Sequence, residues 1–201
     1  NTDGSITSSV SANAAYGFSI VTYTGAGSTQ TIGHGLGKVP KMILVKKRNS
    51  AENWGVYHVG IGNGNRLSLN STDASTSTTT WGNTTPTSSV FSVGAASLSN
   101  SSGDTYVAYC FADVPGYQRF GTYTGNGTST GPVIVTGFKP RFILFKRTNS
   151  ARSWEIYDTE RSGDSNTKAL YPAESASEGG NAGPIKINSD GFQPLTNSGS
   201  N

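Results

Sequence analysis

Apolar and polar residues alternate along several short stretches of this chain, and none of these stretches carries a helical period with caps. From Gly17 to Thr24, Phe18, Ile20 and Thr22 alternate with Ser19, Val21 and Tyr23, which predicts a strand. Met42 to Lys47 is a continuous apolar run that turns basic at its end, the pattern of a central strand covered on both faces. Pro40 lies just ahead of it, where the missing amide proton does no harm. Asn49-Ser50-Ala51 supplies a loop and Asn53 to Val59 returns, so the two runs form an antiparallel hairpin. Leu67 and Leu69 mark a short strand, Val90 to Val93 another, and Thr105 to Ala112 a strong closing one. Turn residues separate these runs at the short intervals typical of sandwiches and barrels. Residues 1–16 are polar and aperiodic and are expected to form a tail or linker.

The same pattern then recurs. Tyr23-Thr24-Gly25-Ala26-Gly27 returns as Tyr123-Thr124-Gly125-Asn126-Gly127, and Pro40, Leu44, Lys46, Asn49, Trp54 and Tyr57 return as Pro140, Leu144, Lys146, Asn149, Trp154 and Tyr157. Every pair is separated by 100 residues. Tryptophans, prolines and tyrosines in phase mark a tandem duplication, with one unit over residues 17–116 and a second over 117–201. In the second unit, strands are expected at Phe120–Thr124, Val133–Thr136, Phe142–Arg147, Trp154–Asp158, Leu170–Tyr171, Ile185–Ile187 and Phe192–Leu195. Ser198-Gly199-Ser200 answers to the Ser102-Gly103-Asp104 that precedes the closing strand of the first unit, but no apolar run follows it. The expected fold is therefore all-β: two tandemly duplicated antiparallel β-sandwich (jelly-roll-like) units, the second lacking its last strand. A missing continuation or a partner chain should cover the edge so exposed.

Composition adds constraints. Nearly half of the 201 residues are Gly, Ser, Thr or Asn, yet 10% are aromatic and only 13% charged, which separates the chain from disordered segments and suits thin cores with long polar loops. The net charge of +3 is spread thinly, densest at Lys38, Lys41, Lys46, Lys47 and Arg48 and again at Lys139, Arg141, Lys146 and Arg147. These read as strand-flanking charges that keep edges soluble, and no nucleic-acid partner is expected. The single cysteine, Cys110, lies in an apolar run and is expected to be buried and inert. No apolar stretch approaches the length of a membrane span, so no membrane insertion is expected. The chain begins at Asn1 rather than Met, as a piece of a longer or processed product would.

Candidate chemistry is sparse. His34 and His58 have no histidine counterpart in the second unit, no G-x-S-x-G turn is present, and the carboxylates are scattered, with Glu155 and Asp158 on opposite faces of one strand. No enzyme activity, metal or cofactor is expected. Trp54, Tyr57, Trp154 and Tyr157 stay in phase between the copies, and both copies need the same packing rather than the same ligand, so these four are expected in the repeated core. Trp81 differs: it follows the Ser/Thr run 71–80, has no counterpart and is flanked by Gly82 and Asn83. Trp81, with Asn83, is the expected glycan contact.

Taken together, Gly17–Gly25, Gly33-His34-Gly35-Leu36-Gly37, the strand after Pro40, Asn53–His58, Tyr106–Ala112 and the second Tyr-Thr-Gly block resemble an uncharacterised domain of tailed-phage virion proteins, found among tail-fibre-like reading frames. The resemblance covers about residues 17–195. It implies a paired β-sandwich on the virion surface and carries over no catalytic residue. Its implied role is structural and adhesive: a homo-oligomer, preferably a trimer, in contact with other virion proteins, presenting loops such as 71–89 and 172–184 to a host-surface glycan. The alternatives are a capsid decoration or turret protein and, from another class, a secreted carbohydrate-binding module or glycan-active enzyme.

Overall fold

The computed structural model describes residues 1–166, 168–179 and 183–196. It is an all-β structure of antiparallel sheets that divides into two compact units: residues 1–69 with 75–120, and residues 70–74 with 121–201. The division falls four residues beyond the boundary read from the repeat.

In unit 1, β1 (Ser9–Asn13), β2 (Phe18–Thr24), β3 (Gln30–Gly33), β4 (Met42–Lys47), β5 (Gly55–His58), β6 (Asn65–Ser68), β7 (Thr76–Ser77), β8 (Val90–Val93) and β9 (Thr105–Phe111) follow in chain order, with one helical turn, α1 (Ser97–Asn100), before β9. The main sheet has the order β1-β2-β9-β4-β5-β6-β7, and β3 pairs with β8 as a second layer. The last strand in sequence is thus the central one, bonded to β2 on one side (Val21 opposite Ala108) and β4 on the other (Val45 opposite Ala108).

Alternation decides the two faces of this sheet. Val21, Tyr23, Ile43, Val45, Tyr57, Tyr106, Ala108 and Cys110 point inward and meet Ile32, Leu36, Trp81, Phe91 and Val93 from the second layer and its loops. Phe18, Ile20, Tyr109 and Phe111 lie on the outer face, half-buried or exposed. Cys110 is fully buried as expected, and burial pushes its thiol up to about 12.

Residues 1–16 are not a free tail. Ser9–Asn13 pairs with Phe18–Thr22 as an edge strand, Ile6 bridges Ile32, and buried Ser8 donates its hydroxyl to the Gly33 carbonyl. The polar composition hid this strand because an edge strand needs few apolar contacts; Ile6 and Val10 alone pack partly against the core.

Unit 2 contains β10 (Ile134–Val135), β11 (Phe142–Phe145), β12 (Glu155–Asp158), a helical turn α2 (Thr159–Ser162), β13 (Ser165–Asn166), β14 (Ile185–Asn188) and β15 (Gly191–Pro194). β10, β15, β14 and β13 form one sheet, while β11 and β12 form a separate hairpin whose register repeats that of β4 and β5: Ile143 faces Tyr157 as Ile43 faces Tyr57. Ile143, Tyr157, Ala169, Ile185, Ile187 and Phe192 make the core.

Two strands expected in unit 2 are not formed. Phe120–Thr124, counterpart of the end of β2, is irregular, and Leu170 makes only an isolated bridge to Ile156. Among the described residues no strand stands in the place of β9, so a β2-like segment has no central strand to pair with. Ser198-Gly199-Ser200 lies outside the described residues, as do 180–182 of the loop 172–184.

Candidate functional site

Trp81 is 1% exposed. Its ring meets Tyr57 edge-on with centroids 5.8 Å apart, and its indole N–H donates to the Asn65 carbonyl at 3.0 Å. The serine- and threonine-rich run stays at the surface as expected, but it pairs Thr76–Ser77 with β6 and then delivers Trp81 into the core. Asn83 remains exposed in a left-handed turn (φ 52°), but the aromatic partner imagined for it points away from solvent. Of the four repeated aromatics, Tyr57, Trp154 and Tyr157 are buried. Trp54 is only half-buried, with its ring 6.2 Å from that of Tyr109, on the outer face of the sheet.

The exposed aromatic rings lie elsewhere. Tyr16 (55% exposed) and Tyr117 (56%) come together with centroids 5.2 Å apart at one end of the main sheet. With Asn13, Phe18, Phe111 and Gln118 they line an open groove of about 390 Å³. Two turns build it. The β1–β2 turn is closed by Asn13 Oδ1, which accepts from the Tyr16 amide at 3.3 Å, and by Gly17, whose positive φ (62°) and approach to the Ala112 carbonyl leave no room for a side chain. The turn after β9 is closed by amides of Tyr117 and Gln118 bonding to the Val114 carbonyl.

Gln118 clasps the two turns together: its side-chain amide donates to the carbonyls of Ala112 (2.5 Å), Gly17 (3.0 Å) and Tyr16 (3.2 Å). The groove floor continues as a row of rings on the sheet face. Phe18 lies 5.0 Å from Phe111 and is parallel within 7° to Tyr109, which in turn leads to Trp54. Rings with one open face beside side-chain amides match the two faces of a sugar, a C–H surface and a rim of hydroxyls. Tyr16 and Tyr117 were legible only as aromatics next to glycine outside any strand. Nothing in the sequence says that they meet.

A second hollow, in unit 2, is lined by Thr72, Arg152, Ser153, Glu155, Tyr171 and Glu174 among others. Glu155 is 2% exposed, and burial holds its carboxyl above the usual range. The Tyr157 hydroxyl lies 2.8 Å from the Gly183 carbonyl and 3.2 Å from Glu155. A phenol has one proton, so the hydroxyl divides its donation between these two acceptors. Ser153 donates to Glu174 at the rim. The fold thus collects two carboxyls that looked scattered in sequence, while Asp158 turns outward to cap α2 and pair with Arg161 at 2.6 Å.

His34 is fully buried and structural in its contacts. Nδ1 accepts from the Leu36 amide at 3.2 Å and Nε2 lies 3.1 Å from the Thr87 carbonyl, an arrangement that selects the neutral Nε2–H tautomer. Among the described residues no group of three His, Cys, Asp or Glu side chains is placed to hold a metal, and no helix is long and apolar enough to cross a membrane.

A family model described as a domain of unknown function, DUF7483, matches residues 1–201. The chain belongs to the DUF7483 family. No curated protein matches it, and no solved structure does. The family match spans both units of this DUF7483 chain, so the groove of unit 1 and the hollow of unit 2 both lie within the family's domain.

Proposed function

We propose that this protein is a structural and adhesive module of a phage virion appendage of the tail-fibre kind, and that it holds a host-surface glycan in the Tyr16–Tyr117 groove. The virion setting rests on the resemblance of the repeated motifs. The glycan rests on one observation: two tyrosine rings, each more than half exposed, are brought together on two turns that the Gln118 side chain clasps to each other. Preorganised rings lose little freedom on binding, so a weak site repeated on an oligomer suffices for attachment.

The test is a titration of bacterial surface polysaccharides against the protein and its Tyr117→Ala variant. Loss of one exposed ring weakens binding about tenfold or more, worth about 1.4 kcal/mol, and leaves the melting temperature unchanged. Equal binding by the variant rejects the groove. Light scattering gives the oligomer, for which a trimer is the expected result.

A second reading, an enzyme acting on glycans, is favoured by Glu155, a buried carboxyl that burial makes a weaker acid, in a hollow that also contains Glu174. Release of reducing ends from a bound polysaccharide measures it.

A further inference from the structure

We infer that the hollow of unit 2 is a binding site for a small ligand carrying a primary ammonium group. The inference is independent of the Tyr16–Tyr117 groove and needs no catalytic step at Glu155. Glu155 is 2% exposed, and its Oε2 lies 3.2 Å from the Tyr157 hydroxyl, whereas Oε1 bonds to no described residue. Among the described residues, the one unpartnered polar side-chain atom sealed from solvent is Ser19 Oγ. Oε1 is therefore open, and the space it opens on is the hollow that Glu155 lines. A buried carboxylate oxygen without a donor is costly, and an occupant that donates to it removes the cost.

The protons around the hollow are already spent. The Ser153 hydroxyl donates to Glu174 and the Tyr171 hydroxyl to the Gly179 carbonyl. Ionised Glu155 and Glu174 accept only. Apart from Arg152 and the Thr72 hydroxyl, the polar side chains of the lining thus offer a ligand acceptors and no free proton. An ammonium group, with three donors and no acceptor, is the complement of such a lining.

Charge and size point the same way. Burial holds the Glu155 carboxyl above the usual range, against the Tyr157 bond and the Arg152 charge that pull it down. The positive charge present falls short of what the buried carboxylate needs, and a cation supplies the rest. A metal ion does not fit, since no three His, Cys, Asp or Glu side chains among the described residues are placed to hold one. The volume of about 320 Å³ is at the small end for ligand sites and suits a single ring or a short chain.

The probes are butylammonium chloride and glucosamine hydrochloride, added to the full chain at neutral pH and low salt. Binding is followed by the NMR shifts of the Ser153 and Glu155 amides. At least one probe binds. Binding of both shows that the ammonium suffices, and binding of glucosamine alone shows that it is carried on a sugar. Tetramethylammonium, a cation without N–H donors, and N-acetylglucosamine, a ring without the charge, bind about tenfold more weakly or worse. Glu155→Gln keeps an acceptor for Tyr157 but loses the charge, and weakens binding about tenfold or more. Glu160→Gln, which removes an exposed carboxyl outside the hollow, and Tyr117→Ala in the groove change nothing. Where Glu155→Gln lowers the melting temperature, Glu174→Gln at the rim carries the test, with a loss of roughly fivefold. The inference is overturned if neither amine shifts these amides at tens of millimolar, or if tetramethylammonium binds as tightly. It is equally overturned if the hollow variants bind like the original, or if Glu160→Gln loses as much as they do.

Discussion

Single side chains set the limits within which the rest of this protein works. Trp81 fills the inner face of unit 1 and satisfies its one polar atom at the Asn65 carbonyl, so its removal leaves both a large cavity and an unpaired acceptor. Trp81→Ala is expected to cost about 3–5 kcal/mol, measured as a fall in the denaturant midpoint followed by tyrosine contacts of unit 1. A surface tryptophan would cost almost nothing. His34 carries a pH dependence of definite sign. Burial lowers its basicity below that of the free side chain, so the folded state resists the proton that the unfolded state accepts. Stability is unaffected above the ordinary histidine pKa near 6.5 and falls as pH drops below it, by at most about 1.4 kcal/mol per pH unit for this one group until the folded pKa is reached. Thermal melts between pH 7 and 5 should show the decline, and His34→Gln should reduce it, leaving the part due to His58, whose basicity burial also lowers.

At the scale of strands, the two hairpins β4–β5 and β11–β12 share a register but not a setting. Among the described residues β4 is bonded on both edges and β11 on one. Exchange of a strand amide requires opening of whatever covers it, so the Leu144 amide is expected to exchange much faster than that of Leu44, by about a hundredfold or more in native-state hydrogen exchange. Comparable rates would mean that β11 is paired in solution. The hairpins were legible in the sequence because continuous apolar runs flanked by a proline and a polar loop leave few alternatives. β1 was not, because an edge strand of Ser, Val, Ala and Asn has almost no apolar signal of its own. The failure of Phe120–Thr124 to form a strand is the converse case. Its alternation is adequate, but a strand forms only against a neighbour, and among the described residues none is provided.

For the molecule as a whole, the sequence by itself determined the duplication, the all-β class, the identity of the paired hairpins and the burial of Cys110. Each of these is encoded locally, in the period of apolar residues or in a repeated spacing, and needs no knowledge of distant contacts. The tertiary structure alone decided the rest. It turned Trp81 inward, because whether a residue after a polar loop faces solvent depends on where the loop lands. It joined Tyr16 to Tyr117 across a hundred positions of chain, through turns clasped by Gln118, and it gathered Glu155 and Glu174 at one hollow. It placed the last strand of unit 1 at the centre of its sheet. Side-chain period reports which residues are buried, but the pairing of strands far apart in sequence is a property of the folded sheet, where hydrogen bonds and packing select one neighbour among several of equal local merit.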